Sequence, residues 1–302
     1  MSVLFHSERL GADLHGGKLP ASPLRAGTIC YTDIRPALAK AGLIPTIPEL
    51  FGHGHDFPQG KWLMLGNGPL GGEEGTLPPN WKAAAEGAGN CTIADCFHTL
   101  MEAEKNAGKP LSPVDARCAI EAYEARTLAA NGTAYNPETG EGDTGLEIQA
   151  VIEWLLQEGC KDASGEAHKI AYSIALEPGN VQHLWEMVFF TEKVKMGLVL
   201  CEAQMTQFDA GPQPTWDYVA GSPEIGGHDT PAVGKLGLLS WAEDVYYTPA
   251  FIEHQNDESY GILHPEQFET DGKDYEGYQE GDIEKLMTEI AAEKLGELRA
   301  AA

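Results

Sequence analysis

Cys91 stands where a helix should begin. It follows a Gly-rich approach ending in Gly89-Asn90 and opens the run Cys-Thr-Ile-Ala-Asp-Cys-Phe-His. The start of a helix offers unpaired backbone N–H groups and the positive end of the helix dipole, and both favour a thiolate. A nucleophilic thiol also needs a base. His228 supplies a candidate, because it opens Gly-Gly-His-Asp-Thr-Pro-Ala-Val, a run that reads as a strand. The chemistry of such a pair is acyl transfer: Cys91 attacks a carbonyl carbon and His228 shuttles the proton. Gly226 and Gly227 leave room for a substrate or a backbone beside the histidine.

Other reactive groupings are weaker. Cys91, Cys96, His98 and His53 or His55 fit no standard zinc spacing. His53-Gly-His55 reads as a turn. No phosphate-cradling loop and no Gly-x-Ser-x-Gly elbow is found. The acidic, Gly-rich stretch 269–282 lacks calcium-loop spacing and reads as a solvated linker. No cofactor and no metal is expected.

The elements that must position the pair follow from periodicity. Ile93, Phe97, Leu100 and Met101 recur at helical spacing, so 91–106 reads as a helix capped by Asn90. A second helix is expected over 112–129, with Ser112 as cap and Pro113 at the first position. A third is expected over 145–158, carrying Trp154. The period then shortens. Strands are expected at 169–176, 196–202, 228–233, 236–241 and 257–263, with helices at 180–191 and from Pro249 to about Asn256. The stretch 205–226 reads as a loop, and 283–298 as an amphipathic helix. Helices first and short strands afterwards predict α+β, with helices beside a mainly antiparallel sheet. Three regions are expected. Residues 1–80 form an extended Pro/Gly-rich arm with one short helix at Ile34–Ala41, 81–266 form the α+β domain, and 267–302 form an acidic linker with a C-terminal helix.

Composition narrows the function. The formal charge of −26, from 46 acidic and 20 basic residues, repels phosphate backbones and argues against nucleic-acid binding. The six cysteines are scattered without a Cys-x-x-Cys pair, which predicts free thiols in a reducing compartment. No apolar run approaches the ~18 residues of a membrane span, and the N-terminus lacks an apolar core after a basic start, so no signal peptide is expected.

These motifs resemble the papain-like cysteine peptidase fold: a cysteine opening the central helix, a histidine opening a sheet strand, and a strand ending in tryptophan. Cys91 and His228 lie roughly 140 residues apart, within the roughly 130–150 that papain-like enzymes show. The chain also resembles a group of phage and bacterial proteins. The matching features are Gly89-Asn90-Cys91, Asp143-Thr144-Gly145 with Trp154, Gly226-Gly227-His228, Ser240-Trp241-Ala242 and Asp257-Glu258-Ser259-Tyr260. The resemblance covers roughly 81–266. It implies two alternatives. One is a non-catalytic or weakly catalytic phage structural protein, on a virion surface or decorating a capsid. Its protein partner would be held in part through the arm, a homo-oligomer would be compatible, and its place would be the virion or the host cytoplasm. The other is a hydrolase of peptide or isopeptide bonds, with Cys91 as nucleophile and His228 as base. Two departures bear on the choice. Papain-like enzymes carry a glutamine six residues before the cysteine, where this chain has Ala85, and an asparagine two residues before the tryptophan, where it has Leu239. Loss of an oxyanion donor lowers the rate on the order of 10²–10³. Ser240, Asp244, Glu243 and Asp229 are the residues that spacing offers as a third member.

Overall fold

The structure, a computed structural model, describes residues 18–25, 28–44, 77–211, 213–233, 236–241, 243–274 and 277–301. In chain order the elements are β1 (Ile29–Cys30), α1 (Tyr31–Ala41), α2 (Lys82–Glu86), α3 (Cys91–Asn106), α4 (Ala116–Asn131) and α5 (Ile148–Gln157). A small hairpin follows, β2 (Cys160–Lys161) with β3 (Ala167–His168), then β4 (Tyr172–Ala175), α6 (Val181–Thr191), β5 (Lys193–Cys201), α7 (Glu202–Phe208) and β6 (Thr215–Trp216). The last elements are β7 (Glu224–Val233), β8 (Gly237–Ser240), β9 (Glu243–Tyr247), α8 (Pro249–Gln255), β10 (Asn256–Leu263), a short 3-10 turn and α9 (Glu280–Ala301).

Among the described residues, eight strands form one sheet in the order β1-β4-β10-β5-β7-β8-β9-β6. Of these strands, β1/β4 and β6/β9 pair in parallel and the other neighbours antiparallel. The fold is α+β with a mainly antiparallel sheet, as the sequence predicts. Side chains on successive strand residues leave opposite faces, and each face carries its own core. On one face α3, α4 and α5 pack through Ile93, Phe97, Leu100, Ile120, Tyr123 and Ile152 against Val233, Leu239 and Ile262. On the other, α1, α6, α8 and the start of α9 pack through Leu38, Met187, Phe190, Phe251 and Met287 against Val194, Met196 and Leu198. Between the two cores, β5 is buried along nearly its whole length because it is covered on both faces, and it is apolar but for Lys193 and Lys195.

α3 matches its expected bounds. Every residue from Cys91 to Glu104 is buried, so the helix runs through the middle of the molecule. The second helix starts later than expected, at Ala116. The Asp115 carboxylate accepts the Cys118 N–H at 3.0 Å and caps it, which leaves Ser112 and Pro113 outside. The stretch expected as a loop over 205–226 contains most of α7 and all of β6, and β9 is a strand the pattern did not reveal.

Of the expected arm, Phe51 through Leu65, with His53 and His55, lies outside the described residues. The short helix is present as α1, which begins at Tyr31 and packs Tyr31, Ile34 and Leu38 into the second core. It is fastened to α6 by Glu186, which accepts bonds from Tyr31 Oη (2.6 Å), Arg35 Nε (2.7 Å) and Arg35 Nη2 (2.6 Å). In the tail, Ile283 and Met287 of α9 join the same core.

Candidate active site

The approach to Cys91 is held from outside α3. Both oxygens of Asp143 accept the Gly89 N–H at 3.0 Å, and Asp143 also takes the Tyr123 hydroxyl at 2.7 Å. The Gly145 N–H in turn donates to Tyr123 Oη at 2.9 Å. The Asp143-Thr144-Gly145 motif thereby fixes the backbone two residues ahead of the thiol. The carbonyl of Asn90 accepts from Ile93 and Ala94 at 2.9 Å, although its side chain does not cap the helix.

Cys91 is 2% exposed. Burial first, and the Asp229 carboxylate second, push its thiol up to about 12, against the opposing pull of the Asp229 and Thr92 N–H groups on the sulfur and of the Lys195 charge. The sulfur therefore lies against the peptide unit that follows His228. Cys96, one turn further along α3, is likewise pushed up to about 12 by burial.

His228 pairs with Leu198 across the β5–β7 ladder, while Asp229 pairs with Gly197. The two side chains therefore leave opposite faces. The His228 ring lies toward the second core, hydrogen-bonded through Nε2 to Ser240 Oγ at 2.9 Å. It stacks on Trp241 with centroids 4.8 Å apart, and Trp216 meets it edge-on at 6.4 Å. Burial pushes its imidazole down to about 3. Trp241 holds its place with φ of 50°, a left-handed conformation that costs on the order of 1–3 kcal/mol for a bulky residue.

Among the residues that spacing offered as a third member, Ser240 is the one hydrogen-bonded to His228. Asp244 pairs with Leu239, whose side chain enters the α3-side core, so Asp244 leaves the face opposite Ser240; its charge acts on Lys105. Asp229 turns toward α3. There the fully buried Lys195 ammonium donates to Asp95 Oδ2 (2.6 Å) and to the Thr92 carbonyl (2.8 Å), and also pairs with Asp229 Oδ2. Burial raises both carboxyls, with the Lys195 charge opposing. Sequence reasoning missed this cluster. Its signal was the pair of lysines, Lys193 and Lys195, inside an otherwise apolar strand.

At neutral pH both the thiol and the imidazole are uncharged. A proton-transfer pair works best with pKa values near the operating pH, and here neither is there. What the arrangement offers instead is an oriented, shielded imidazole and a buried thiol at a helix start.

A second feature borders the same strand. Lys18 bridges Leu146 in parallel and Gly227 antiparallel, and the Leu19 N–H donates to the Leu146 carbonyl at 3.1 Å. A piece of the N-terminal arm thus spans from the loop before α5 to β7, next to His228. A Cβ on Gly227 would lie 2.5 Å from the Lys18 carbonyl oxygen, so only glycine lets the arm approach so closely.

Asp162, Glu166 and His168 bring potential metal-ligand atoms within 4.8 Å of one another. The Asp162 and His168 atoms are already engaged. Asp162 Oδ1 accepts from Ser164 and Glu166 N–H groups, and His168 bonds Glu266 at 3.1 Å through Nδ1. Among the described residues no helix is long and apolar enough to cross a membrane.

No family model matches the sequence, and no curated protein matches it. Solved structures do. The chain is similar to xylellain, a cysteine protease from Xylella fastidiosa, at 12% identity and TM-score 0.51, over 82% of this chain and 97% of that one. It also aligns with a digestive procathepsin L2 proteinase from Tenebrio molitor larval midgut, at 11% identity and TM-score 0.45, over 87% and 82% of the two chains. At this identity the likeness to xylellain shows the fold alone: papain-like.

Proposed function

We propose that this chain is a papain-like scaffold that works by holding an extended protein segment in its cleft, with Cys91 kept as an unreactive thiol. The observation that carries this reading is the strand-like pairing of Lys18 with Leu146 on one side and Gly227 on the other. Main-chain pairing to an exposed strand, with pockets for alternate side chains, is a general mode of peptide recognition. The thiol near 12, the imidazole near 3, Ala85 and Leu239 all weigh against efficient turnover. The finer setting we propose is a phage virion surface or capsid decoration, with assembly in the host cytoplasm and a protein partner; it rests on the motif resemblance and the acidic composition.

The second reading is the thiol hydrolase, with Cys91 as nucleophile and His228 as base. It is favoured by the His228–Ser240 bond under Trp241, which orients the ring through Nε2 and leaves Nδ1 for proton transfer. Fluorogenic peptide amides, offered to the wild type and to Cys91→Ala, separate the two. The binding reading expects the same background rate from both proteins. Hydrolysis that disappears in Cys91→Ala would establish the hydrolase.

A further inference from the structure

The Lys18 side chain is seated as a ligand would be. It is 0% exposed, and its ammonium lies 2.6 Å from Asp257 Oδ2 and 3.2 Å from Glu258 Oε1. These carboxylates come from the start of β10, the second strand over from β7. Glu258 is held in turn by the Tyr260 hydroxyl at 3.1 Å. The floor between is glycine. A Cβ on Gly197 would lie 2.5 Å from Lys18 Cε and 2.7 Å from Glu258 Cγ. Gly197 faces Asp229, and Gly227 faces Val199, so both glycines share one face of the β5–β7 ladder. The slot therefore has a backbone dock at Gly227, a bare floor at Gly197 and two carboxylates at its end.

We propose that this slot is a lysine-selecting subsite of the cleft, and that Lys18 is its internal occupant. The external ligand is an extended peptide whose main chain pairs with Gly227 and whose lysine replaces Lys18. The inference rests on the binding reading above. Three features argue for lysine over an apolar residue. An apolar side chain would leave the largely buried Glu258 and the partly exposed Asp257 without a cation. The glycine floor admits a slender, unbranched stem. A chain of formal charge −26 also attracts basic segments at long range.

The test uses the full chain carrying Lys18→Ala, which empties the slot, and a dye-labelled peptide of the arm sequence Gly-Gly-Lys-Leu-Pro-Ala-Ser-Pro-Leu-Arg, read by fluorescence anisotropy. The lysine peptide is expected to bind about 10-fold or more tighter than its norleucine counterpart, and Glu258→Gln is expected to remove most of that preference. Equal binding of the two peptides overturns the subsite while leaving the cleft reading in place. Binding by neither peptide overturns both. Binding with Cys91-dependent cleavage keeps the subsite and overturns the non-catalytic reading. Should Lys18→Ala not fold by circular dichroism, the wild type serves. Excess lysine peptide is expected to speed acetylation of Lys18, measured against Lys82 and Lys109, and the norleucine peptide is not. No difference between the two peptides in that assay overturns the subsite.

Discussion

His228 and Asp229 are neighbours in β7 that belong to different networks. The histidine bonds Ser240 at 2.9 Å under Trp241, while the aspartate reaches through the other face to Lys195 and α3. Cys91 sits at the seam between them, its sulfur on the Asp229 N–H. The charge that acts most strongly on the thiol is a carboxylate, which opposes a thiolate, and the imidazole is in an apolar stack, which opposes its protonation.

The thiol should consequently be slow to alkylate. Cys91 is buried and pushed up to about 12, whereas Cys30 and Cys201 are partly exposed. Iodoacetamide labelling at pH 8, followed by peptide mass spectrometry, is expected to modify Cys30 and Cys201 well before Cys91. Cys91 reacting first would mean that the thiolate forms readily, and the unreactive-thiol reading would fall.

His228 should make the fold acid-sensitive. Its folded value of about 3 lies below the roughly 6.5 of an unfolded histidine. Between those values the unfolded chain binds the proton and the native chain does not. Its contribution is therefore intact above pH 6.5 and lost progressively as pH falls toward 3, at about 1.4 kcal/mol per pH unit. Burial lowers His183 and His264 in the same sense, and raises Asp95, Asp229 and Glu102, which act in the opposite sense. The informative quantity is the difference between wild type and His228→Gln. Urea unfolding from pH 6 to 4 should show the variant less stable at pH 6 but shallower in its pH slope by about 1.4 kcal/mol per unit. Parallel slopes would show that His228 is not buried neutral.

How much of this was legible follows from the kind of signal. α3 was readable because a Gly-rich stretch stops at a sharp apolar period, and its bounds came out as expected. The sheet was readable as a class, but β6 and β9 were not: β6 is two residues among Gly and Pro, and β9 opens on Glu243-Asp244, which leaves only Val245-Tyr246-Tyr247 to mark it. At the site, Ser240, Glu243, Asp244 and Asp229 were indistinguishable by spacing, and strand alternation sets two of them aside. Ser240 shares the face of His228, and Asp244 and Asp229 do not. Lys195 and Lys18 were illegible for another reason. Each meets partners far away in sequence, and nothing local to a lysine says that its charge is buried.

The Lys195 cluster should be strongly coupled. The ammonium holds Asp95, Asp229 and the Thr92 carbonyl in a dry interior. Lys195→Met leaves two carboxylates without their cation and is expected to destabilise the fold by about 3–5 kcal/mol. Adding Asp95→Leu and Asp229→Asn should recover most of that loss, because a buried ion cluster replaced as a whole by neutral groups of similar size is often near neutral. Chemical denaturation of the three proteins measures both effects. A stable single variant would show that the carboxylates do not depend on Lys195.

The arm contact should control access to the Lys18–Leu19 bond. Lys18 is buried, and its carbonyl packs where a Cβ on Gly227 would come within 2.5 Å. Since that neighbour is backbone and not the tip of a flexible side chain, Gly227→Ala forces the arm to move. Trypsin requires an accessible lysine, so the wild type should resist cleavage after Lys18 and the variant should be cut there at least about 10-fold faster if opening is fast relative to cleavage. Mass spectrometry of the early digest identifies the site. Cleavage after Lys18 at equal rates in both proteins would show that the arm does not rest on Gly227, and the peptide-holding cleft would lose the observation that carries it.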